Sequence, residues 1–221
     1  NLYIDHSSGP FNSTGNAQYG TGFIAGHNDG LIDNCHVTNS TITNNQSNTG
    51  GIAGRNYGKI TNCSVTHTNI TTSGTTPLGG ITGYLYNGTI RNCYSANNTL
   101  KNTTGDTNPR GGIAGYVLQG TLQNCYVYKN TYDTRKTYRG LLIGQTSKET
   151  IANCFYGSST INIIGNSEKT PKDSYLFNSS FCETTSGTPV FELLDLWVKA
   201  HSTYGCLNWT ESTTLPAIFI H

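Results

Sequence analysis

Acidic and histidine side chains are the groups in this chain that could move protons or hold a metal ion. Enzymes that cleave polysaccharides bring two carboxylates together for acid and base catalysis, or several to bind Ca²⁺. Here the 12 Asp and Glu residues are scattered along 221 residues. His27 beside Asp29 is the one suggestive pair, which we interpret as a solvated turn. No His-Glu-x-x-His segment occurs, and the serines near His6 or His201 lack a base-supplying motif. We predict no catalytic residue, no bound metal and no cofactor.

The seven cysteines fall into two sets. A zinc site would require close Cys or His pairs such as Cys-x-x-Cys, which the sequence lacks. Cys182 and Cys206 lie on either side of a helical pattern near the C-terminus. We expect a disulfide between them, as suits a small module of a secreted protein. The other five cysteines each follow an asparagine: Asn34-Cys35, Asn62-Cys63, Asn92-Cys93, Asn124-Cys125 and Asn153-Cys154.

These Asn-Cys pairs belong to an internal repeat of about 30 residues. Each copy has an apolar core bounded by glycines. A few residues later comes a four-residue segment that consists of Ile or Leu, a variable residue, Asn and Cys. Three close copies begin at Gly50, Gly79 and Gly111, and two looser copies begin at Gly22 and Gly140. Because a stacked array needs about three repeats for stability, five copies are enough to form one.

The residue before each repeat cysteine is predicted to be a corner. Side chains alternate along a strand, so Ile60 and Cys63 cannot both point inward unless the chain bends between them. Asparagine tolerates the left-handed conformation that such a bend requires. The thiols of neighbouring coils point the same way, which disfavours disulfides, so we interpret them as small buried fillers. The result is two ladders, of Asn34, Asn62, Asn92, Asn124 and Asn153, and of Cys35, Cys63, Cys93, Cys125 and Cys154.

Equivalent residues one repeat apart predict an all-β protein, a right-handed parallel β-helix with three sides and about five coils over residues 22–165. One side follows each cysteine, one is the Gly-Gly-Ile-Ala-Gly segment, and one carries Thr41-Ile42 and its equivalents. Residues 1–21 are expected to form an N-terminal extension or cap. An antiparallel sandwich or propeller built from the same short strands is the alternative.

The copies resemble the GLUG repeat, whose Gly-Leu-hydrophobic-Gly core is nearly spelled out by Gly140-Leu141-Leu142-Ile143-Gly144 and varied by Gly51-Ile52-Ala53-Gly54. The resembling copies cover residues 22 to about 156. In that family the repeats occur in large secreted or surface-attached proteins, many described as adhesins, and in the non-catalytic region of some IgA-cleaving metallopeptidases. The resemblance therefore implies a surface protein, and it transfers no catalytic residue.

The last part of the chain, residues 166–221, is predicted to be a C-terminal cap, and it resembles the tail that follows such arrays. Thr188 could cap a helix over residues 189–201 with Pro189 in its first turn. Residues 204–210 and 215–220 resemble strands, with Trp209 and Phe219 supplying apolar area. An open end of a β-helix exposes unpaired backbone, so we expect this region to cover that end.

Charge and sequons indicate the compartment and exclude some partners. The formal net charge is only +1, too low to drive binding to nucleic acid. No apolar run is long enough to cross a membrane, and the chain starts without a leader, which suggests a processed, secreted or surface protein or a fragment of one. A sequon at Asn62 coincides with a predicted corner. The other candidate N-glycosylation sites are Asn12, Asn39, Asn45, Asn69, Asn87, Asn97, Asn102, Asn178 and Asn208.

Sequence that varies between repeats is the remaining place for a binding site, because insertions in a solenoid become loops. The insertions are residues 72–78, 101–110 and 129–139. Aromatic and cationic residues near the last one could bind sugars or a partner protein, although an ordinary solvent-facing loop is the simpler explanation. The candidate surface comprises Tyr126, Tyr128, Tyr132, Tyr138, Arg135 and Arg139, with Lys129 and Lys136 beside them.

These observations favour a non-enzymatic, extracellular structural or adhesive protein whose partners are other copies of itself, surface or matrix proteins, or glycans. Exposed backbone at the N-terminal end, or the apolar segments 2–4 and 217–220, could pair head to tail with a neighbouring copy and build a filament. Two alternatives remain open. One is a carbohydrate-binding or polysaccharide-cleaving protein on the same scaffold, and the other is a spacer within a larger protein.

Overall fold

The structure is a computed structural model, and it describes residues 1–5, 10–13, 19–45, 47–104, 107–134, 137–157, 161–167, 174–178, 183–184, 188–210 and 217–218. The described part contains one α-helix, α1 (Val190–Ala200), and a short 3₁₀ helix at Ser202–Tyr204. The strands are β1 (Leu2–Asp5), β2 (Pro10–Ser13), β3 (Ala25–Asn28), β4 (Leu31–Asp33), β5 (Cys35–Thr38), β6 (Thr41–Asn44), β7 (Thr49–Gly50), β8 (Ala53–Asn56), β9 (Lys59–Thr61), β10 (Ser64–Thr66), β11 (Asn69–Thr72), β12 (Leu78–Gly79), β13 (Thr82–Arg91), β14 (Tyr94–Ala96), β15 (Thr99–Asn102), β16 (Arg110–Gly111), β17 (Ala114–Gln123), β18 (Tyr126–Tyr128), β19 (Thr131–Tyr132), β20 (Arg139–Gly140), β21 (Ile143–Thr146), β22 (Glu149–Ala152), β23 (Cys154–Tyr156), β24 (Ser174–Asn178), β25 (Glu183–Thr184), β26 (Trp209–Thr210) and β27 (Ala217–Ile218).

The strands of the repeat region form four parallel sheets in which each strand pairs with its equivalents one repeat away. The post-cysteine sheet runs β1-β5-β10-β14-β18-β23-β24, and the next runs β2-β6-β11-β15-β19. A short sheet, β7-β12-β16-β20, leads into a long one that contains β3, β8, β13, β17 and β21 together with β4, β9 and β22. The chain is therefore a parallel β-solenoid of about five turns, which confirms the predicted architecture and excludes a sandwich of hairpins.

The predicted three sides are refined to four sheets by a bend inside the glycine-rich core. β7 and β8 belong to different sheets, and Gly51-Ile52 connects them. The glycine after this bend lies where two sheets approach closely. A Cβ on Gly54 would come within 2.1 Å of the Thr21 nitrogen, and one on Gly83 within 2.5 Å of the Thr49 nitrogen. The repeated glycine is thus required by backbone approach.

The core consists of columns of like residues stacked along the axis. In the register, Val37 pairs with Val65, and Ile42, Ile70 and Leu100 follow one another. The column that precedes each corner consists of Ile32, Ile60, Ile90, Leu122 and Ile151, all buried. Burial of apolar surface at about 25 cal/mol per Å² is the main force that holds these rungs together.

The described N-terminal strands β1 and β2, together with Thr21, contribute a leading rung to the solenoid. β1 pairs with β5 and β2 pairs with β6, both parallel, and Thr21 bridges to Thr49. The Asn34 amide donates from Nδ2 to Oδ1 of Asn1 at 3.0 Å, so Asn1 occupies the corner position of this rung. The expected extension is therefore part of the repeat array.

The C-terminal region packs against the side of the solenoid through its helix. α1 begins at Val190, and Pro189 occupies the N-cap position that was predicted for Thr188, so the helix begins one residue later than expected. Val190, Leu194 and Val198 are buried in a cluster with Tyr126 and other residues on the outer face of the post-cysteine sheet. The end of the solenoid is instead extended by β24, which pairs with β23 and with β25. The helix thus covers one side of the solenoid, whereas we expected the C-terminal region to cover the end of the solenoid.

Candidate functional site

The corner asparagines form a hydrogen-bonded ladder on the outside of the solenoid. All five have positive φ angles, between 50° and 54°. Nδ2 of Asn92 donates to Oδ1 of Asn62 at 2.8 Å, Nδ2 of Asn124 donates to Oδ1 of Asn92 at 2.7 Å, and Nδ2 of Asn153 donates to Oδ1 of Asn124 at 2.6 Å. Each amide therefore supports the left-handed corner of the neighbouring rung.

The repeat cysteines stack beside these corners as buried free thiols. The backbone N–H of Cys63 donates to Sγ of Cys93 at 3.4 Å, and the thiol of Cys93 donates to the carbonyl of Arg91 at 3.0 Å. Burial raises the pKa of Cys93 and of Cys154 well above the ordinary thiol range. Because the thiolate is the reactive form, Cys93 and Cys154 are inert packing groups.

A second left-handed corner follows the first by five residues in four rungs. It contains Asn39, His67, Asn97 and Lys129, with φ angles between 47° and 57°. The sequence analysis missed this corner because its residue type changes from rung to rung. Two of its members are asparagines, and they were the available signal.

A C-terminal strap, residues 205–209, lies along the Asn ladder and uses its remaining hydrogen-bonding groups. Nδ2 of Asn62 donates to the carbonyl of Gly205 at 3.3 Å, and the N–H of Leu207 donates to Oδ1 of Asn62 at 2.9 Å. Nδ2 of Asn92 donates to the carbonyl of Leu207 at 2.9 Å. The ladder thus binds an extended backbone from outside the solenoid.

Side chains of the C-terminal region complete this contact. The indole Nε1 of Trp209 donates to Oδ1 of Asn92, and Nδ2 of Asn124 donates to the carbonyl of Leu194 at 3.1 Å. Asn62, Asn92 and Asn124 are fully buried as a result. Burial of satisfied amides makes this docking specific, because loss of one partner leaves a buried polar group unpaired.

Next to the ladder lies a covered aromatic column, which comprises Tyr94, Tyr126 and Phe155 at successive register positions of the post-cysteine sheet. The rings of Tyr94 and Tyr126 stack with centroids 4.9 Å apart and an interplanar angle of 3°. The Trp209 ring packs 5.5 Å from Tyr126. Tyr126 and Phe155 have no exposed surface, so the C-terminal region seals this column.

The predicted binding surface at the last insertion is therefore not formed. Tyr126 and Tyr128 are buried beneath α1. Tyr132 points into the solenoid, where its hydroxyl donates to the carbonyl of Gly140 at 3.3 Å, and burial raises its pKa. Tyr138 and Arg139 are half-buried next to the short sheet, and Arg135 lies outside the described residues. The tyrosines were predicted to share a surface because they are close in sequence, but strand alternation and the bend separate them.

Of the two cysteines expected to form a disulfide in the C-terminal region, only Cys206 belongs to the described residues. Cys206 is a half-buried thiol in the strap, and its burial raises its pKa to about 11. It packs against the cluster under α1. Cys182 lies outside the described residues.

The sequons differ in accessibility. Asn102 is 1% exposed; its Nδ2 donates to the carbonyl of Gly74 at 3.1 Å, so its amide is not available for a glycan in the folded chain. Asn97 is half-buried, and only the backbone of Asn178 is described. The exposed asparagines are Asn12, Asn39, Asn45, Asn69, Asn87 and Asn208.

The long sheet presents an open aromatic column, which comprises Tyr19, His27, Tyr57, Tyr86, Tyr84 and Tyr116. His27 stacks on Tyr57 with centroids 4.8 Å apart, and Tyr57 lies 4.8 Å from Tyr86. Tyr84 stacks on Tyr116 at 5.3 Å. Tyr86 is 40% exposed and Tyr19 is 62% exposed, so this column is open to solvent where the covered column is not.

Sequence analysis did not identify this column, although a signal existed. The residue after the last glycine of each repeat core points outward from the long sheet, and it is His27, Arg55, Tyr84, Tyr116 and Gln145 in turn. Tyr57 and Tyr86 lie two residues further on, Tyr57 just after β8 and Tyr86 within β13. The column therefore takes its rings from two different positions of the repeat, which hides the period of the aromatic residues in the sequence.

The charged groups near this column are few and already paired. Nε2 of His27 and Oδ1 of Asp29 are 2.9 Å apart, and the Asp29 side chain is 74% exposed, as a solvated turn requires. Oδ1 of Asp33 accepts hydrogen bonds from Thr61 and Asn62. Among the described residues, no group of three or more His, Cys, Asp or Glu side chains is placed to hold a metal ion.

Comparison with known proteins identifies the repeat. The family model of the GLUG motif matches residues 45–71, which contain the second repeat core and its Asn-Cys corner. No curated protein and no solved structure matches the chain significantly. No helix in the described ranges has the length and apolar character that crossing a bilayer requires. The chain is a parallel β-solenoid of about five turns with one segment that matches the GLUG motif, and this motif fits a surface or adhesin-like protein.

Proposed function

We propose that this chain is a non-enzymatic structural and adhesive unit of an extracellular or cell-surface protein. The observation that carries the proposal is the open aromatic column on a rigid stack of rungs. Each rung of the long sheet is hydrogen-bonded to its neighbours, so the rings are held in fixed positions before any partner arrives. A preorganised surface loses little conformational entropy on binding, which is what an adhesive module requires.

The extracellular location is supported by the GLUG motif and by six exposed sequon asparagines in the described chain. Antibodies raised against the purified chain should label intact, unpermeabilised cells of the source organism or its culture medium. Labelling confined to permeabilised cells would contradict the proposed location.

The adhesive role can be measured with the purified chain coupled to fluorescent beads. Beads carrying the native chain should attach to cells or matrix under flow, and beads carrying the Tyr84→Ala/Tyr86→Ala variant should attach less. Tyr3→Ala is the matched control because Tyr3 is 60% exposed but lies on the post-cysteine sheet. Equal attachment by native, double-variant and uncoated beads would refute adhesion through the open column.

We further propose that copies associate end to end through β1. Among the described strands, β1 pairs with β5 alone, and its Leu2 is 48% exposed. The N–H of Leu2 donates to the carbonyl of Asn34, so strand alternation directs the N–H of Tyr3 to the open edge. An exposed edge of this kind is a template for a further strand.

End-to-end association can be tested by light scattering after size exclusion and by electron microscopy. The native chain should form short filaments at high concentration. Tyr3→Pro should shorten them, because it removes an edge N–H that the chain's own ladder does not use. Tyr3→Phe keeps that N–H and serves as the control. A strictly monomeric native particle would exclude the assembly, and leave the adhesion test unaffected.

A further inference from the structure

We infer that the open aromatic column binds a linear, uncharged polysaccharide laid parallel to the solenoid axis. This inference rests on the proposed adhesive function and names the class of ligand for it. The shape of the column, its hydroxyl groups, its low charge and its contrast with the covered column each favour this ligand.

The column is long and narrow: only the rung of β13 carries two of its rings, Tyr84 and Tyr86, whose centroids are 6.4 Å apart. Its members span four successive rungs, from the rung of His27 to that of Tyr116, which is about 14 Å at the spacing of neighbouring strands. Tyr19 adds length at one end, where its ring lies 6.5 Å from His27 at an interplanar angle of 79°. A narrow track of this kind matches a single polymer strand.

The chemistry of the column suits sugars. Five of its six rings are tyrosines, so the column is rich in phenol hydroxyl groups. A phenol hydroxyl both donates and accepts hydrogen bonds, as sugar hydroxyls do. The Tyr116 hydroxyl already makes one such bond, 2.7 Å from Oγ of Ser147. The ring edges and the free faces at the ends of the stack supply apolar contact for the C–H groups of a pyranose.

Charge argues against an anionic polymer. The cation in contact with the column is Arg55, whose guanidinium carbon lies 6.0 Å from the Tyr84 ring centroid. Asp29 beside His27 offsets it with a negative charge. Binding to a polyanion relies on several uncompensated cations that release counterions, and this surface does not provide them.

Area argues against a folded protein as the main partner. Six partly exposed rings offer on the order of 400 Å², given about 150–250 Å² for each fully buried aromatic side chain. A stable protein interface buries roughly 800 Å² on each partner. A polysaccharide strand needs less area at each point because it repeats the same contact along its length.

The covered column shows what peptide recognition looks like on this solenoid. There, the Asn ladder lies next to the rings and bonds the strap backbone at Gly205 and Leu207. The open column has tyrosine hydroxyls in place of such a ladder. The same scaffold thus carries one surface built for a backbone and one built for hydroxyl groups.

Affinity electrophoresis in native gels tests the inference with defined probes: a soluble β-glucan, a mannan and a xylan as neutral polymers, and heparin and hyaluronan as acidic ones. We expect at least one neutral polymer to retard the native chain. Each of Tyr84→Ala and Tyr86→Ala should weaken that binding by about tenfold, the factor that corresponds to ~1.4 kcal/mol, and Tyr3→Ala should not. Circular dichroism and urea unfolding of each variant establish that the fold is kept.

The outcomes separate the ligand class from the adhesive function. No retardation by any neutral polymer, retardation unchanged in both column variants, or retardation by acidic polymers alone would overturn the inference. If bead adhesion then persists and is abolished by protease treatment of the target but not by glycosidases, the partner is a protein and adhesion stands. If the beads also fail to attach, the proposed adhesive function is refuted together with the ligand class.

Discussion

The two aromatic columns occupy different faces of one solenoid and have opposite surroundings. The covered column is sealed by α1 and the strap, which leave Tyr126 and Phe155 with no exposed surface. The open column keeps Tyr86 at 40% exposure and Tyr19 at 62%. Ring stacking along the axis is therefore common to both faces. The faces differ in whether another part of the chain packs over the rings.

This contrast separates two uses of a repeated side chain. In-register strands place like residues over one another whatever the residue is, so a ladder on the outside is a by-product of the fold. Trp209 and α1 pack over the covered column and make it an internal interface, and the asparagines beside it supply the polar contacts. The open column lacks such partners within the described chain, so its rings are available for binding.

The largest expected difference between the columns is in stability. Tyr126→Ala should lower the free energy of unfolding by about 3–5 kcal/mol, because it leaves a cavity under α1 where a fully buried ring was. Tyr86→Ala should cost less than about 0.5 kcal/mol, as is usual for an exposed site. Urea unfolding followed by circular dichroism measures both. Similar losses for the two variants would show that the columns are equally buried in solution.

Detachment of the helix should be the next largest effect. Leu194→Ala should cost about 2–3 kcal/mol, since Leu194 is buried against the covered column and a helix on a flank can partly relax. Leu196→Ala is the matched control in the same helix, because Leu196 is 57% exposed. Hydrogen exchange should show faster exchange in α1 and the strap while β13 and β17 stay protected. Equal loss of protection in the solenoid would mean that the module and the solenoid unfold as one unit.

The Asn ladder should show a smaller effect that isolates its hydrogen bonds. Asn92→Gly keeps a residue that tolerates a φ of 53°, but it removes the amide that contacts Asn62, Leu207 and Trp209. A loss of about 1–3 kcal/mol is expected from the buried groups left unpaired. Asn87→Gly, at an exposed corner with a φ of 55°, should be nearly neutral. A neutral Asn92→Gly would contradict the role of the ladder in docking the strap.

Much of this fold was predictable because the repeat links sequence position to space directly. Ile60 and Cys63 are both buried with a left-handed Asn62 between them, as the period-two argument required. Helix α1 was predictable from its apolar stripe, to within two residues at each end.

The location of that helix was not predictable, because an apolar stripe shows that a helix packs but not on which surface. The covered column gave no sign in the sequence that Tyr126 would be buried, since tyrosine is common at both exposed and buried positions. The binding surface expected at Tyr126, Tyr128, Tyr132 and Tyr138 was wrong for this reason. The prediction inferred closeness in space from closeness along the chain. This inference fails because successive side chains of a strand point to opposite faces.

The comparison can be sharpened at the N-terminal end of the post-cysteine sheet, where His36 stands at the register position of Tyr94 and Tyr126. His36 is 4% exposed, and its ring lies 2.7 Å from Oγ of Ser64 and 2.9 Å from Oδ1 of Asn34. Burial lowers its pKa below the ordinary value near 6.5, so the unfolded chain binds a proton more readily than the native chain. Stability should therefore be complete above about pH 6.5 and decline as the pH falls below it.

The contribution of His36 is the smallest of the expected effects, at most about 1.4 kcal/mol for each pH unit below the unfolded pKa. The free energy of unfolding should be measured between pH 7.5 and 5.5 for the native chain and for His36→Gln, which cannot titrate. The carboxylates contribute equally to both proteins, so the difference between the two curves isolates His36. Because burial and the positive charge of the N-terminal amine both disfavour the protonated ring, the native curve should fall more steeply. Parallel curves would show that this end of the sheet is open to water, as the long sheet is, and would confine the covered surface to the rungs beneath α1.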